Sequence, residues 1–130
     1  MKARRLALAI AAALTVAACG NDGPQPGTLV VQITGVAPAR AVKFRLVGPS
    51  MAVLEPGTGT VVSVQPLGGD TMMVASFAPA GATLNGAAVA AISVPDVGAV
   101  ALYSATVLEV AAPSYALQTA SQYTLTIVRQ

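Results

Sequence analysis

Between Thr28 and Ile127 apolar and polar residues alternate in short runs. In Thr28–Thr34, Leu29, Val31 and Ile33 fall on one side and Thr28, Gln32 and Thr34 on the other. Val42, Phe44 and Leu46 alternate with Lys43 and Arg45, Val62 and Val64 with Ser63 and Gln65, and Tyr123, Leu125 and Ile127 with Thr124 and Thr126. A period of two over such lengths predicts half-buried antiparallel strands. Three further runs, 71–77, 87–94 and 103–110, are apolar on both sides and read as central strands. Ala87–Ile92 has the composition of a helix, but it is short and bracketed by Gly86 and Pro95, so a strand is expected there too. Turn residues separate the runs at Gly35–Pro38, Gly48–Ser50, Pro56–Gly57, Pro66–Asp70, Pro79–Gly81, Pro95–Gly98 and Pro113–Ser114. The pattern predicts an all-β domain over 28–130, an antiparallel two-sheet sandwich of about seven to nine strands.

Composition sharpens that picture. The chain has 130 residues, of which 9% are charged, against about a quarter in ordinary domains, so little material for exposed helix faces is present. The formal charge of +2 misleads, because Lys2, Arg4 and Arg5 sit in an N-terminal leader. Without the leader four basic residues (Arg40, Lys43, Arg45, Arg129) meet five acidic ones (Asp22, Glu55, Asp70, Asp96, Glu109), a net charge of −1. No clustered basic face of the kind a nucleic-acid partner requires is in view. Arg40, Lys43 and Arg45 read as solvated outward positions of one strand.

The leader has its own logic. A positive start is followed by an apolar stretch, 6–18, of 13 residues counted from Leu6 to Ala18. A membrane-spanning helix needs about 20, so the stretch reads as the core of a signal peptide, which sends the rest of the chain across the membrane. It ends Val16-Ala17-Ala18-Cys19. This resembles the lipobox of bacterial lipoproteins, in which an aliphatic and two small residues precede the cysteine. The resemblance implies that 1–18 is removed, that the Cys19 thiol carries diacylglycerol as a thioether, and that the new amine is often acylated too, palmitate being the expected lipid. The other reading is ordinary cleavage near Ala18 with Cys19 left as a thiol; a lone cysteine in an exported chain speaks against it. Two or more acyl chains hold a protein stably, at about 0.8 kcal/mol per buried CH₂. Gly20, in place of the aspartate that retains proteobacterial lipoproteins in the inner membrane, implies the outer membrane. Gly20–Gly27 is Gly/Pro-rich and reads as a flexible linker.

The order of segments is similar to cohesin-like and carbohydrate-binding-module-like sandwiches. The likeness rests on Ala41–Leu46 with its short apolar return Met51–Glu55, then Met72–Phe77, Gly86–Val94, Ser104–Val110 and the C-terminal strand. It implies an immunoglobulin-like or jelly-roll sandwich. Dockerin binding is not implied, since the polar contacts that cohesins use do not map onto this chain.

The residues of common active sites are scarce. The chain has no His and no Trp, so a Ser-His-Asp triad cannot form. A Ser-Lys pair would need Lys43, which reads as a solvent-facing edge charge. A carboxylate pair for glycan hydrolysis would have to come from Glu55, Asp70, Asp96 and Glu109, of which Asp70 and Asp96 lie in turn sequences. No loop holds two carboxylates for Ca²⁺, and Gly68-Gly69 lacks the lysine and helix of a phosphate loop. Among possible sugar-stacking residues, Tyr123 reads as core or as a tyrosine corner, and Tyr103 and Tyr115 as strand-edge residues free to be exposed. Met72 and Met73 read as core filler. The expectation is a non-catalytic, lipid-anchored envelope protein without a cofactor or metal. Its partners are the membrane through Cys19 and an envelope protein or glycan. A glycan hydrolase and a subunit joined by strand edges are the alternatives.

Overall fold

The computed structural model describes residues 23–130. Nine strands form two antiparallel sheets: β1 Gly27–Gly35, β2 Ala41–Val47, β3 Ala52–Leu54, β4 Val61–Gly68, β5 Thr71–Phe77, β6 Ala88–Val94, β7 Ser104–Ala111, β8 Leu117–Gln118 and β9 Tyr123–Arg129. One sheet has the order β3-β6-β1-β9 and the other β4-β5-β2-β7-β8. The expected two-sheet sandwich is therefore the fold, at the upper end of the strand count. The leader, Cys19 and Asp22 lie outside the described residues.

The alternating positions supply the core. Leu29, Val31 and Ile33 of β1 face Val42, Phe44 and Leu46 of β2 across the sandwich, and all six are buried. Val74, Val89, Ala90, Ile92 and Val110 complete the layer. The three runs apolar on both sides became β5, β6 and β7, each hydrogen-bonded on two sides. Their outer faces are small or half-exposed, as Ala75, Ala91 and Thr106 show.

One buried hydrogen bond crosses between the sheets. In β6 the register shifts between Ala90 and Ala88, so Val89 bulges out of the ladder with β1. The Ser76 hydroxyl, wholly buried on β5, donates to the Val89 carbonyl at 2.6 Å. One polar group of the core thus satisfies another, and losing the donor would strand a buried carbonyl at a cost of about 1–3 kcal/mol. Two tyrosines also close the ends of the sandwich. The Tyr103 ring lies over Gly48 and the Tyr123 ring over Gly35, so close that a β-carbon at either glycine would overlap the ring. Each phenol donates to a carbonyl just past its glycine, Tyr103 to Pro49 at 2.6 Å and Tyr123 to Ala37 at 3.0 Å.

Because the strands are antiparallel, the domain has two distinct ends. β1, β3, β5, β7 begin at one end, where β2, β4, β6 and β9 finish. The chain enters there. Gln25 is already fixed, its N–H on the Asp96 carboxylate at 3.2 Å and its carbonyl on Val97 N–H at 2.9 Å, so the anchored backbone starts before Thr28, inside the segment read as linker. The opposite, distal end is built from the loops 36–40, 55–60, 78–87 and 112–122. Asn85 ties two of them together: its amide donates to Ala37 O at 2.8 Å and its carbonyl accepts from Ala39 N–H at 2.6 Å.

Several single-residue expectations change. Lys43 is outward-facing but on β2, the middle strand of its sheet, not at an edge; a charge is accommodated there because the outer face is solvated. Tyr103 is 7% exposed, since Gly48 leaves a niche for its ring. Met73 points outward beside Lys43, Ser63 and Gln65, one residue out of phase with Met72, which packs on the core. Pro66, Leu67 and Gly68 belong to β4, and the turn is Gly69-Asp70, entered through Gly68 and Gly69 at φ 101° and 58°.

Candidate functional site

The residues expected to carry chemistry are spread apart. Asp96 caps the 3₁₀ turn Val97–Leu102, its carboxylate accepting from Gly98 N–H at 3.0 Å. Asp70 sits in the β4–β5 turn at the same end, Glu55 between β3 and β4, and Glu109 on the outer face of β7 opposite Lys43. Among the described residues no three His, Cys, Asp or Glu side chains gather to hold a metal. Asp70 and Asp96 both act on the Tyr103 phenol. Burial pushes that phenol above its ordinary value, and the two carboxylates add to the effect. A phenol that ionises less readily when folded stabilises the fold below about pH 10, and that contribution is lost as pH rises through the raised value. Urea unfolding between about pH 9 and 11 is therefore expected to show an alkaline loss of stability that Tyr103→Phe reduces. An unchanged slope in the variant would assign the loss elsewhere.

What the fold assembles instead is a surface. Four strand pairings place Val61, Phe77, Ala41, Ala111 and Leu117 in one row across all five strands of the larger sheet. The row runs on the outer face, next to the distal end. Val61, Phe77 and Leu117 are 56%, 47% and 72% exposed. Between Phe77 and Leu117 the two alanines leave a groove of about 200 Å³, bordered by Lys43 and Glu109 in the next row. That is below the roughly 300–1,000 Å³ of small-molecule pockets and suits one or two side chains of a larger partner.

Tyr115 lies in the turn between β7 and β8, at the distal end. It is 70% exposed and holds φ 66°, a conformation costly for a bulky residue. Its N–H bonds Ala112 O at 2.8 Å, and the Arg40 guanidinium lies 5.6 Å from its ring centre, a cation–π contact of about 0.5–1 kcal/mol at such exposure. A second, wider cleft of about 440 Å³ follows the seam between β7 and β9, with Thr106, Ser121 and Thr124 on its walls. The Tyr123 ring at its base is buried against Gly35 and offers no face for stacking.

Sequence reasoning did not single out Val61, Leu117 or Arg40 as a group, because they meet only through strand pairing. Asn85 was also missed; the Asn85-Gly86 dipeptide, a turn signal, was the available hint. Among the described residues no helix is long and apolar enough to cross a membrane. Comparison with family models, curated proteins and solved structures gives no match to this chain.

Proposed function

We propose that the chain is a lipid-anchored, non-catalytic protein of the cell envelope that binds a partner protein through the distal apolar row. The observation that carries this reading is the position of Val61, Phe77, Leu117 and Tyr115, exposed at the end opposite to the one where the chain enters. With Cys19 in lipid, the six residues to Gln25 span at most about 20 Å. The entry end then faces the bilayer and the row faces away, available to other envelope proteins. Exposed apolar patches of this kind mark interaction sites more often than chance.

A protein partner fits better than a glycan. Sugar recognition favours several exposed aromatic faces, and Tyr103 and Tyr123 are both turned onto glycines, which leaves Tyr115 and the half-exposed Phe77. A hydrolase would draw on Asp70 and Asp96, but the Asp96 carboxylate is occupied by two backbone N–H groups. Gly20 after Cys19 favours the outer membrane as the site of anchoring.

The test compares cross-linked complexes from detergent-solubilised envelopes of cells making the wild-type chain or Leu117→Glu. A defined partner captured by the first and lost from the second is expected. Equal capture by both, or capture by neither, refutes binding through the row. Leu117 lies on a two-residue edge strand, so the change leaves the core intact.

A further inference from the structure

The larger sheet ends on one side in β4, eight residues long, and on the other in β8, two residues long. The direction of the β4 backbone groups follows from the ladder beside it. Phe77 of β5 faces Ala41 of β2, and Ala78 N–H donates to Arg40 O at 2.8 Å. Even-numbered residues near the end of β5 therefore turn their backbone toward β2, and Met73, Ala75 and Phe77 turn theirs toward β4. Their partners on β4 are Gln65, Ser63 and Val61. Val62, Val64 and Pro66 consequently turn their backbone to the open side. Pro66 fits this assignment, since it has no N–H to give to β5.

The open side of β4 thus carries two N–H donors, on Val62 and Val64, and the matching carbonyls. Natural edge strands are normally protected by charge, shortness or a covering loop. β4 has little of this protection: no charged residue occurs from Pro56 to Gly69, and Val61 and Val64 are 56% and 38% exposed. Pro66 blocks only one end.

We infer that this edge pairs with β4 of a second copy of the chain, antiparallel about a two-fold axis through Ser63. In that register Val62 of one copy faces Val64 of the other, twice. Every N–H on both open edges then meets a carbonyl, giving four hydrogen bonds, and each Pro66 falls at the end of the pairing. The strand is its own complement because donors and acceptors alternate along it, and its lack of charge removes the repulsion that would keep two copies apart. One strand pair covers less than the roughly 800 Å² per partner of a stable interface, so dissociation near about 100 µM is expected. The pairing does not depend on the lipid anchor or on the distal row.

The experiment is sedimentation equilibrium of Gly20–Gln130, which contains both sheets whole, up to about 1 mM. A monomer–dimer equilibrium is expected for the wild type. Ser63 is exposed on the outer face, so Ser63→Lys and Ser63→Glu keep the fold but set like charges against each other across the axis. Each alone should dimerise about tenfold more weakly, and an equimolar mixture should regain wild-type affinity. Val64→Pro removes an outward N–H without touching the ladder to β5 and should abolish dimers, a larger loss than in the Ser63 variants. A wild-type chain monomeric at about 1 mM overturns the inference and leaves the edge to a strand from another protein. Dimerisation of Ser63→Lys at wild-type strength overturns it as well.

Discussion

Phe44→Ala is expected to cost about 3–5 kcal/mol of folding stability, the usual range for emptying a phenylalanine site in a packed core. Phe44 is the largest wholly buried side chain and sits on β2, the middle strand of the larger sheet, between Val74 of β5 and Val107 of β7. Neighbours held by ladders on both sides cannot close in to fill the space. Against a total stability of roughly 5–15 kcal/mol for a domain of this size, the loss is a large share. The chain contains its own control, because its other phenylalanine, Phe77, lies on the outer face and is 47% exposed. Phe77→Ala should cost about 1 kcal/mol or less. Urea unfolding of the two variants, with unchanged slope and separated midpoints, checks the pair. Similar losses for both would mean that the sandwich does not bury Phe44 as described.

The strands were readable because each carries its own period. Val42, Phe44 and Leu46 announce both a strand and its inward side without reference to anything else in the chain, and β1 and β9 do the same. What a strand pairs with has no such local mark. Lys43 alternates with core residues whether β2 lies at an edge or in the middle, and only the pairing with β5 and β7 decides between them. Pro66 reads as a turn residue because proline usually ends strands; on an edge its missing N–H faces solvent and costs nothing. Tyr103 could not be placed from its neighbours, since the niche for its ring is made by Gly48, far away in the chain.

The same division governs the surface. Asp96 as a capping residue and Tyr123 as a core residue with an end-closing hydrogen bond follow from local sequence and from the alternation of β9. The row from Val61 to Leu117 depends on four separate pairings, and a slip of one residue in any of them would turn a side chain to the other face. The bulge at Val89 and its partner Ser76 are likewise products of register, invisible until the strands are set side by side.

Cys19→Ser is expected to abolish lipid labelling and to slow removal of the leader, because the proposed anchoring depends on a single sulfur. Serine has nearly the shape of cysteine, so the leader still directs export, but its hydroxyl is a far weaker nucleophile than a thiol and does not form the thioether. Each acyl chain contributes about 0.8 kcal/mol per buried CH₂, so loss of two or three chains shifts the partition by many powers of ten. In any chain that is cut, nothing else described compensates: residues 19–130 carry a net charge of −1, which gives no attraction to anionic lipid, and no described helix can span the bilayer. Metabolic labelling with palmitate, fractionation, and mass spectrometry of the N-terminal peptide measure the effect together. The wild type should begin at a modified Cys19 and sediment with membranes, and the variant should be unlabelled and cut slowly or not at all. An unmodified Cys19 in the wild type, or label retained by the variant, removes the anchor and with it the orientation that points the Val61–Leu117 row away from the bilayer.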